Sequence, residues 1–170
     1  MEKIVFLERN TFKVEFPQPQ FEHEWIDYVE TEPHQVVERL KGSTIAICNK
    51  LPLRAAELSR LPQLKLIAVA ATGVDNIDLA YCKQRGIAVC NARHYAGNSL
   101  PEHVLMLILN LRRNLKAYLQ DVSDGAWQKA KQFGLLDHPI HDLRGATLGI
   151  IGYGFLGEAV GNLAQAVGMN

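Results

Sequence analysis

Cysteine is scarce: the 170 residues hold three, Cys48, Cys82 and Cys90, odd in number and with no C-x-x-C pair. That pattern argues against a disulfide framework. An excess of one charge is also missing, since 18 Lys+Arg balance 18 Asp+Glu. A net charge of zero argues against a general polyanion binder, which usually shows a basic stripe, so no nucleic-acid partner is expected. Long apolar runs are absent too. A run such as Val104 to Leu109 falls far short of the ~20 residues that span a bilayer, so no membrane partner is expected. The opening residues MEKIVFLERN lack the basic leader, apolar core and small-residue cleavage site of a secretory signal. A cytoplasmic location is the expectation. No internal repeat or low-complexity tract is evident, and the FPQPQF stretch around Pro17 and Pro19 reads as a surface loop.

What is present is an ordinary globular composition, 48% hydrophobic and 21% charged, in a chain of about one domain's length. Short apolar runs alternate with helix-period segments. Ile4–Leu7, Thr44–Cys48, Leu64–Ala70, Ala88–Cys90 and Thr147–Gly152 read as strands. Their near-continuous apolarity predicts parallel strands covered on both faces. Helices are predicted over about His34–Lys41, Leu53–Leu61 and Ile77–Arg85, closed by Gly42, by Pro62 and by Gly86. Strand–helix alternation with short connections gives an α/β fold.

The longest helix is predicted to begin near Pro101. Ser99 and Glu102 match an S-x-x-E capping box, and Pro101 fits the first turn. Val104, Leu105, Ile108, Leu111 and Leu115 form one apolar stripe, which Leu107 and Leu109 broaden. That pattern suits a core helix, and equally a core helix that also joins two domains and meets a partner subunit. Gln120–Arg144 reads as polar and irregular, anchored by Trp127, Phe133 and the Leu135–Leu136 pair.

Near the end the chain reads T-L-G-I-I-G-Y-G-F-L-G, where Gly152, Gly154 and Gly157 match G-x-G-x-x-G. Alone the pattern is weak, but here a predicted strand, Leu148–Ile151, precedes it. A helix with Leu156, Val160, Leu163, Ala164 and Val167 on one face follows it. In such a unit the first glycine permits the tight turn and the second leaves room for a pyrophosphate. The third lets helix and strand pack closely, and the helix start offers free N–H groups to the phosphates. A strand–helix turn without a ligand is the alternative. The carboxylate that grips the ribose hydroxyls lies ~20 residues further on, past Asn170, so NAD and NADP are not distinguished.

Three ordered segments carry a resemblance: A-T-G-V-D-N-I-D-L at 71–79, N-S-L-P-E-H-V at 98–104 and L-R-G-A-T-L-G-I-I-G-Y-G-F-L-G at 143–157. Together they resemble the D-isomer-specific 2-hydroxyacid dehydrogenases, notably members acting on glyoxylate, hydroxypyruvate or glycerate. The resemblance implies a flavodoxin-like substrate domain over 1–98, a connecting and dimerisation helix over 99–119, and the start of an NAD(P)-binding Rossmann domain over 120–170. It implies reduction of a small 2-oxo acid to the D-2-hydroxy acid with NAD or NADP, in a homodimer formed through the helix from Pro101.

Position by position, the resemblance puts Thr72 and Gly73 where backbone N–H groups meet the substrate carboxylate, with Ala96 lining the pocket. A turn after the preceding strand, with Asp75 and Asp78 capping the next helix, is compatible with that role. Gly152, Gly154, Phe155, Leu156, Gly157 and Leu100 fall on the cofactor side. Pro101 stands where the family usually has Ala. Lys50 follows a strand's C-terminal end, where α/β sheets bind ligands, and reads either as an attractor for an acidic substrate or as solvated surface.

The family's carbonyl-polarising Arg, proton-donating His and its carboxylate partner fall beyond position 170, so no catalytic residue is assigned. This chain alone is therefore expected to have no appreciable dehydrogenase activity and weak cofactor binding. The alternatives are a non-catalytic relative acting as a binding or assembly module, and a flavodoxin-like binding domain with a coincidental glycine turn. His138 and His141 have H-x-x-H spacing, but Pro139 between them favours a loop over a metal site. His94 reads as a loop residue near the presumed cleft and His103 as a packed helix residue. The three cysteines read as small core residues.

Overall fold

The computed structural model describes residues 1–170 as two compact units, Met1–Arg93 and His94–Asn170. The first unit is built on five strands: β1 (Glu2–Phe6), β2 (His23–Asp27), β3 (Ile45–Cys48), β4 (Leu66–Val69) and β5 (Ala88–Asn91). All neighbours pair in parallel, in the order β2-β1-β3-β4-β5. This is a doubly wound, flavodoxin-like order, with its switch point between β1 and β3. Three helices join the strands, α1 (Val36–Arg39), α2 (Ala55–Leu58) and α3 (Leu79–Arg85). They are shorter than predicted but correctly placed, and Gly42 and Gly86 close the first and last at positive φ.

The expectation of a sheet covered on both faces is corrected. One face presents Val5, Ala46, Cys48, Ile67 and Val69, all buried with Val36, Leu40, Leu58 and Cys82 of the three helices. On the other face Ile45, Ile47, Leu66 and Ala68 are half-buried, and Ala88 and Cys90 are exposed. The reason is topological. The connections β2→β3, β3→β4 and β4→β5 all step the same way across the sheet, so right-handed crossovers put their helices on one side. Only β1→β2 steps back, and its connection brings Phe12 and Phe16 onto Phe6, with ring centroids 6.0 and 5.2 Å away.

The second unit holds α4 (Ser99–Arg112), α5 (Leu115–Ser123), α6 (Ala126–Lys129) and α7 (Phe155–Ala166). Helices α4 and α7 pack together. Pro101, Val104 and Ile108 meet Val160, Leu163 and Ala164 there around a residual gap of roughly 10 Å³.

Four readings of this half are corrected. The predicted strand at 148–151 forms no ladder. Its stretch has a two-bond pairing instead, Asn170 N–H to Ala146 C=O and Leu148 N–H to Asn170 C=O, each 2.8 Å. A strand exists only through its neighbours, and Asn170 is the only backbone partner here. The Ser99–Glu102 box is absent because Asn98 occupies the cap and the turn before it takes Leu100 N–H to Ala96 C=O. The long helix breaks at Asn114, whose φ of 48° is left-handed, and α5 and α6 fill part of the segment read as irregular. Finally, Trp127, Phe133 and Leu136 are exposed rather than anchors. No helix is long and apolar enough to cross a membrane.

Candidate functional site

In the first unit the loops at the carboxyl ends of the strands are organised by two polar side chains. Glu8, just past β1, is 8% exposed. Its carboxylate accepts backbone N–H bonds from Asn49 at 2.6 Å, Lys50 at 3.0 and 3.1 Å, and Leu51 at 3.2 Å. Three successive amides aimed at one anion form a nest, and this one is filled from within the chain. On the other side of the loop, the Asn76 carboxamide donates to Leu51 C=O at 2.9 Å. Leu53 and residues 76–78 add two backbone bonds, both 3.0 Å. The loops after β3 and β4 are thereby stitched together.

Thr72 and Gly73 open the loop after β4. The Thr72 hydroxyl donates to Ala92 C=O at 2.9 Å, and the Asn91 carboxamide donates to Thr72 C=O at 2.7 Å. The backbone N–H groups of Thr72, Gly73 and Val74 meet no acceptor within the chain. Thr72 and Gly73 are exposed and Val74 is half-buried. Asp78 caps α3 by accepting from Tyr81 N–H at 3.0 Å, whereas Asp75 makes no such bond. Lys50 is exposed and its ammonium has no ion-pair partner, while its main chain is held by Glu8. Sequence reading missed Glu8 and Asn76 as organisers. The signal available was their position, one just past a strand and one inside the V-D-N-I-D run.

In the second unit the glycine turn has the shape its spacing implies. Gly152 has a φ of +91°, which strains any other residue. A Cβ on Gly157 would collide with the Gly152 carbonyl oxygen, so helix and turn touch backbone to backbone. At Gly154 a Cβ would meet nothing within 4 Å, leaving open space in front of the start of α7. No side chain caps α7, so its first N–H groups remain available. The residues present fit a dinucleotide pyrophosphate: bare backbone, a positive helix end and clearance at the second glycine.

Phe155 and Leu156 begin α7, and Phe155 is engaged from a distant segment. Its ring lies 4.2 Å from that of His94, centroid to centroid. Ala96 and Gly97 belong to the turn that carries His94 into α4, and Leu100 sits half-buried in the first turn of that helix. The fold therefore brings together the Ala96–Leu100 segment and Phe155, but His94, read as a loop residue, supplies the stacking. The H-x-x-H pair separates: His138 Nε2 lies 2.7 Å from Asp121 Oδ2, while exposed His141 uses its backbone N–H on Arg112 C=O. Of the cysteines, Cys48 and Cys82 are buried and Cys90 is exposed, which corrects its reading as a core residue. Burial pushes the Cys48 thiol up to about 12, with the Glu8 charge adding to it, and burial also raises Cys82.

A doubly wound α/β unit followed by a glycine turn of dinucleotide shape defines the class of nucleotide-linked α/β proteins. Within it the chain belongs to the D-isomer specific 2-hydroxyacid dehydrogenases, whose catalytic domain its sequence matches over residues 4–170. It is 49% identical over 168 residues to the glycerate dehydrogenase of Methylorubrum extorquens, covering 98% of this chain and 54% of the relative. It is 32% identical over 139 residues to the hydroxypyruvate reductase of Blautia hydrogenotrophica, covering 82% of this chain and 43% of the relative. The chain thus spans about half the length of these relatives. Among solved structures, D-lactate dehydrogenase from Aquifex aeolicus, complexed with NAD and lactic acid, is 26% identical with a TM-score of 0.70, over 98% of this chain and 49% of that one. An acyclic imino acid reductase in complex with NADPH and D-Arg shares the fold, with 21% identity and a TM-score of 0.79 over 99% of this chain and 54% of that one.

Proposed function

We propose that residues 1–170 carry two binding elements of an NAD(P)-dependent reductase that converts a small 2-oxo acid, of the glyoxylate or hydroxypyruvate kind, into its D-2-hydroxy acid. The observation that carries this reading is the pair of free donor sets. One is the unpaired N–H groups of Thr72, Gly73 and Val74, and the other is the uncapped start of α7 behind Gly152–Gly157. Backbone amides bind a carboxylate without a counter-charge of their own, which suits a small acid. Lys50, at the end of β3, adds long-range attraction for an anion. Ala96 and Leu100 border the nicotinamide end, and Gly152, Gly154, Phe155, Leu156 and Gly157 receive the pyrophosphate. When bound, the nicotinamide supplies the hydride for the carbonyl carbon. No proton donor or carbonyl-polarising residue is assigned within 1–170. The chain also lacks a paired-cysteine scaffold, in keeping with the cytoplasm.

Amide-resolved NMR titration of the chain tests the proposal. Glyoxylate is expected to shift Thr72, Gly73 and Val74, and NADH to shift residues 152–158. Saturating amounts of both that leave these amides unmoved would refute it.

The partner in this reading is a second copy of the chain. Leu105, Met106, Leu109, Leu115 and Leu163 line an open apolar trough of roughly 510 Å³ along α4. Sedimentation at tens of micromolar is expected to show a dimer.

A further inference from the structure

We infer that Glu8 is a positioning residue for the carboxylate-binding loops, acting with Asn76 to hold the turn after β3 in register with Thr72–Val74. This inference rests on the substrate reading above. In doubly wound sheets the ligand crevice opens at the switch point, here between β1 and β3. That crevice is filled by Glu8, whose carboxylate occupies the nest of Asn49, Lys50 and Leu51 amides. An incoming acid finds those donors taken and a negative charge in place. Free backbone donors at the same end of the sheet lie one strand over, at Thr72–Val74 after β4.

Glu8 thereby does two things. It closes the competing anion site, and it fixes the loop whose carbonyls hold Asn76. The Asn76 carboxamide donates to Leu51 C=O at 2.9 Å, and the Asn76 backbone carbonyl accepts from Leu53 N–H at 3.0 Å. Asn76 closes the same loop that begins with Thr72, so a change in the 49–51 turn reaches the free amides through four residues of chain. Charge-assisted bonds to three successive amides make this turn stiff, which a binding loop needs if its donors are to be preorganised. A merely structural glutamate would stabilise the unit without altering what Thr72–Val74 bind.

The test compares the 170-residue chain with Glu8→Gln, which keeps the shape and removes the charge, and with Glu8→Ala, which empties the nest. Hydrogen exchange of the Asn49–Leu51 amides is expected to quicken by about tenfold or more in Glu8→Gln, while β4 amides keep their protection. Glyoxylate affinity, followed at Thr72 and Gly73, is expected to fall by about fivefold, the lower end of coupling between linked sites. In Glu8→Ala, added formate should enter the nest and restore slow exchange at Asn49–Leu51. Unchanged exchange at 49–51 in Glu8→Gln overturns the positioning claim, and so does faster exchange with unaltered glyoxylate affinity. Wild-type chain that shows no glyoxylate shift at Thr72–Val74 overturns the substrate reading itself, a result distinct from either. Glu8→Gln carries the decision if Glu8→Ala fails to fold.

Discussion

A side chain on Gly157 would run into the carbonyl oxygen of Gly152, whereas one on Gly154, between them, would meet no atom within 4 Å. The third glycine is therefore a packing residue, the second is clearance, and the first supplies the left-handed φ of +91°. Gly157→Ala is expected to destabilise the chain by about 1–3 kcal/mol, because backbone faces backbone and neither can yield cheaply. Gly154→Ala should leave stability within about 0.5 kcal/mol and still weaken NADH binding. Urea unfolding beside NADH fluorescence titration separates the two effects. Wild-type NADH affinity in Gly154→Ala would count against the cofactor reading.

Gly97 and Phe155 form a second tight contact, since a Cβ on Gly97 would lie 2.6 Å from Phe155 Cζ. Gly97→Ala is expected to cost about 1–2 kcal/mol by displacing that ring from His94. The same change made in a Phe155→Ala background should cost almost nothing. A double-mutant cycle by urea unfolding measures this coupling, and additive single effects would show that the ring is not held there.

Much of the fold was legible because buried parallel strands and helix stops carry strong local signals. Ile45–Cys48, Leu66–Val69 and Ala88–Asn91 are apolar runs, and Gly86 ends α3 with φ of +70° as its position after Arg85 implied. Strand β2 was missed because His23–Asp27 lies at the sheet edge and is never fully buried, so it needs no apolar pattern. The stretch at 148–151 was misread for the converse reason: apolar residues cannot reveal whether a pairing partner is present. Thr72, Gly73 and the three glycines were legible through spacing. Glu8 was not, since a buried carboxylate in an amide nest has the same letter as a solvated one.

Cys48 gives a pH dependence with a definite sign. Its thiol is raised from 9.0 in the unfolded chain to about 12 in the fold, by burial and by the neighbouring Glu8 charge. The folded state disfavours the thiolate, so this contribution is fully present below pH 9 and is lost as pH rises toward 12. Cys48→Ala is expected to lower stability near neutrality by about 1 kcal/mol and to flatten the decline above pH 9. Urea unfolding at several alkaline pH values checks this. At pH 8 a thiol reagent should label exposed Cys90 and spare Cys48 until the chain unfolds.

The apolar trough on α4 offers a test of association. Met106 and Leu109 are 48% and 39% exposed, and Leu115 across the trough is 46% exposed, a concentration of exposed apolar side chains around one trough. If a second copy covers this face, Leu109→Glu places a charge against apolar surface in the dimer while leaving it hydrated in the monomer. The expected outcome is a shift from dimer to monomer at tens of micromolar, with urea stability of the monomer within about 0.5 kcal/mol. Sedimentation velocity of wild type and Leu109→Glu reads the difference directly. Identical profiles for the two would place any association elsewhere, because a carboxylate buried at a shared apolar face without a partner weakens association by several orders of magnitude.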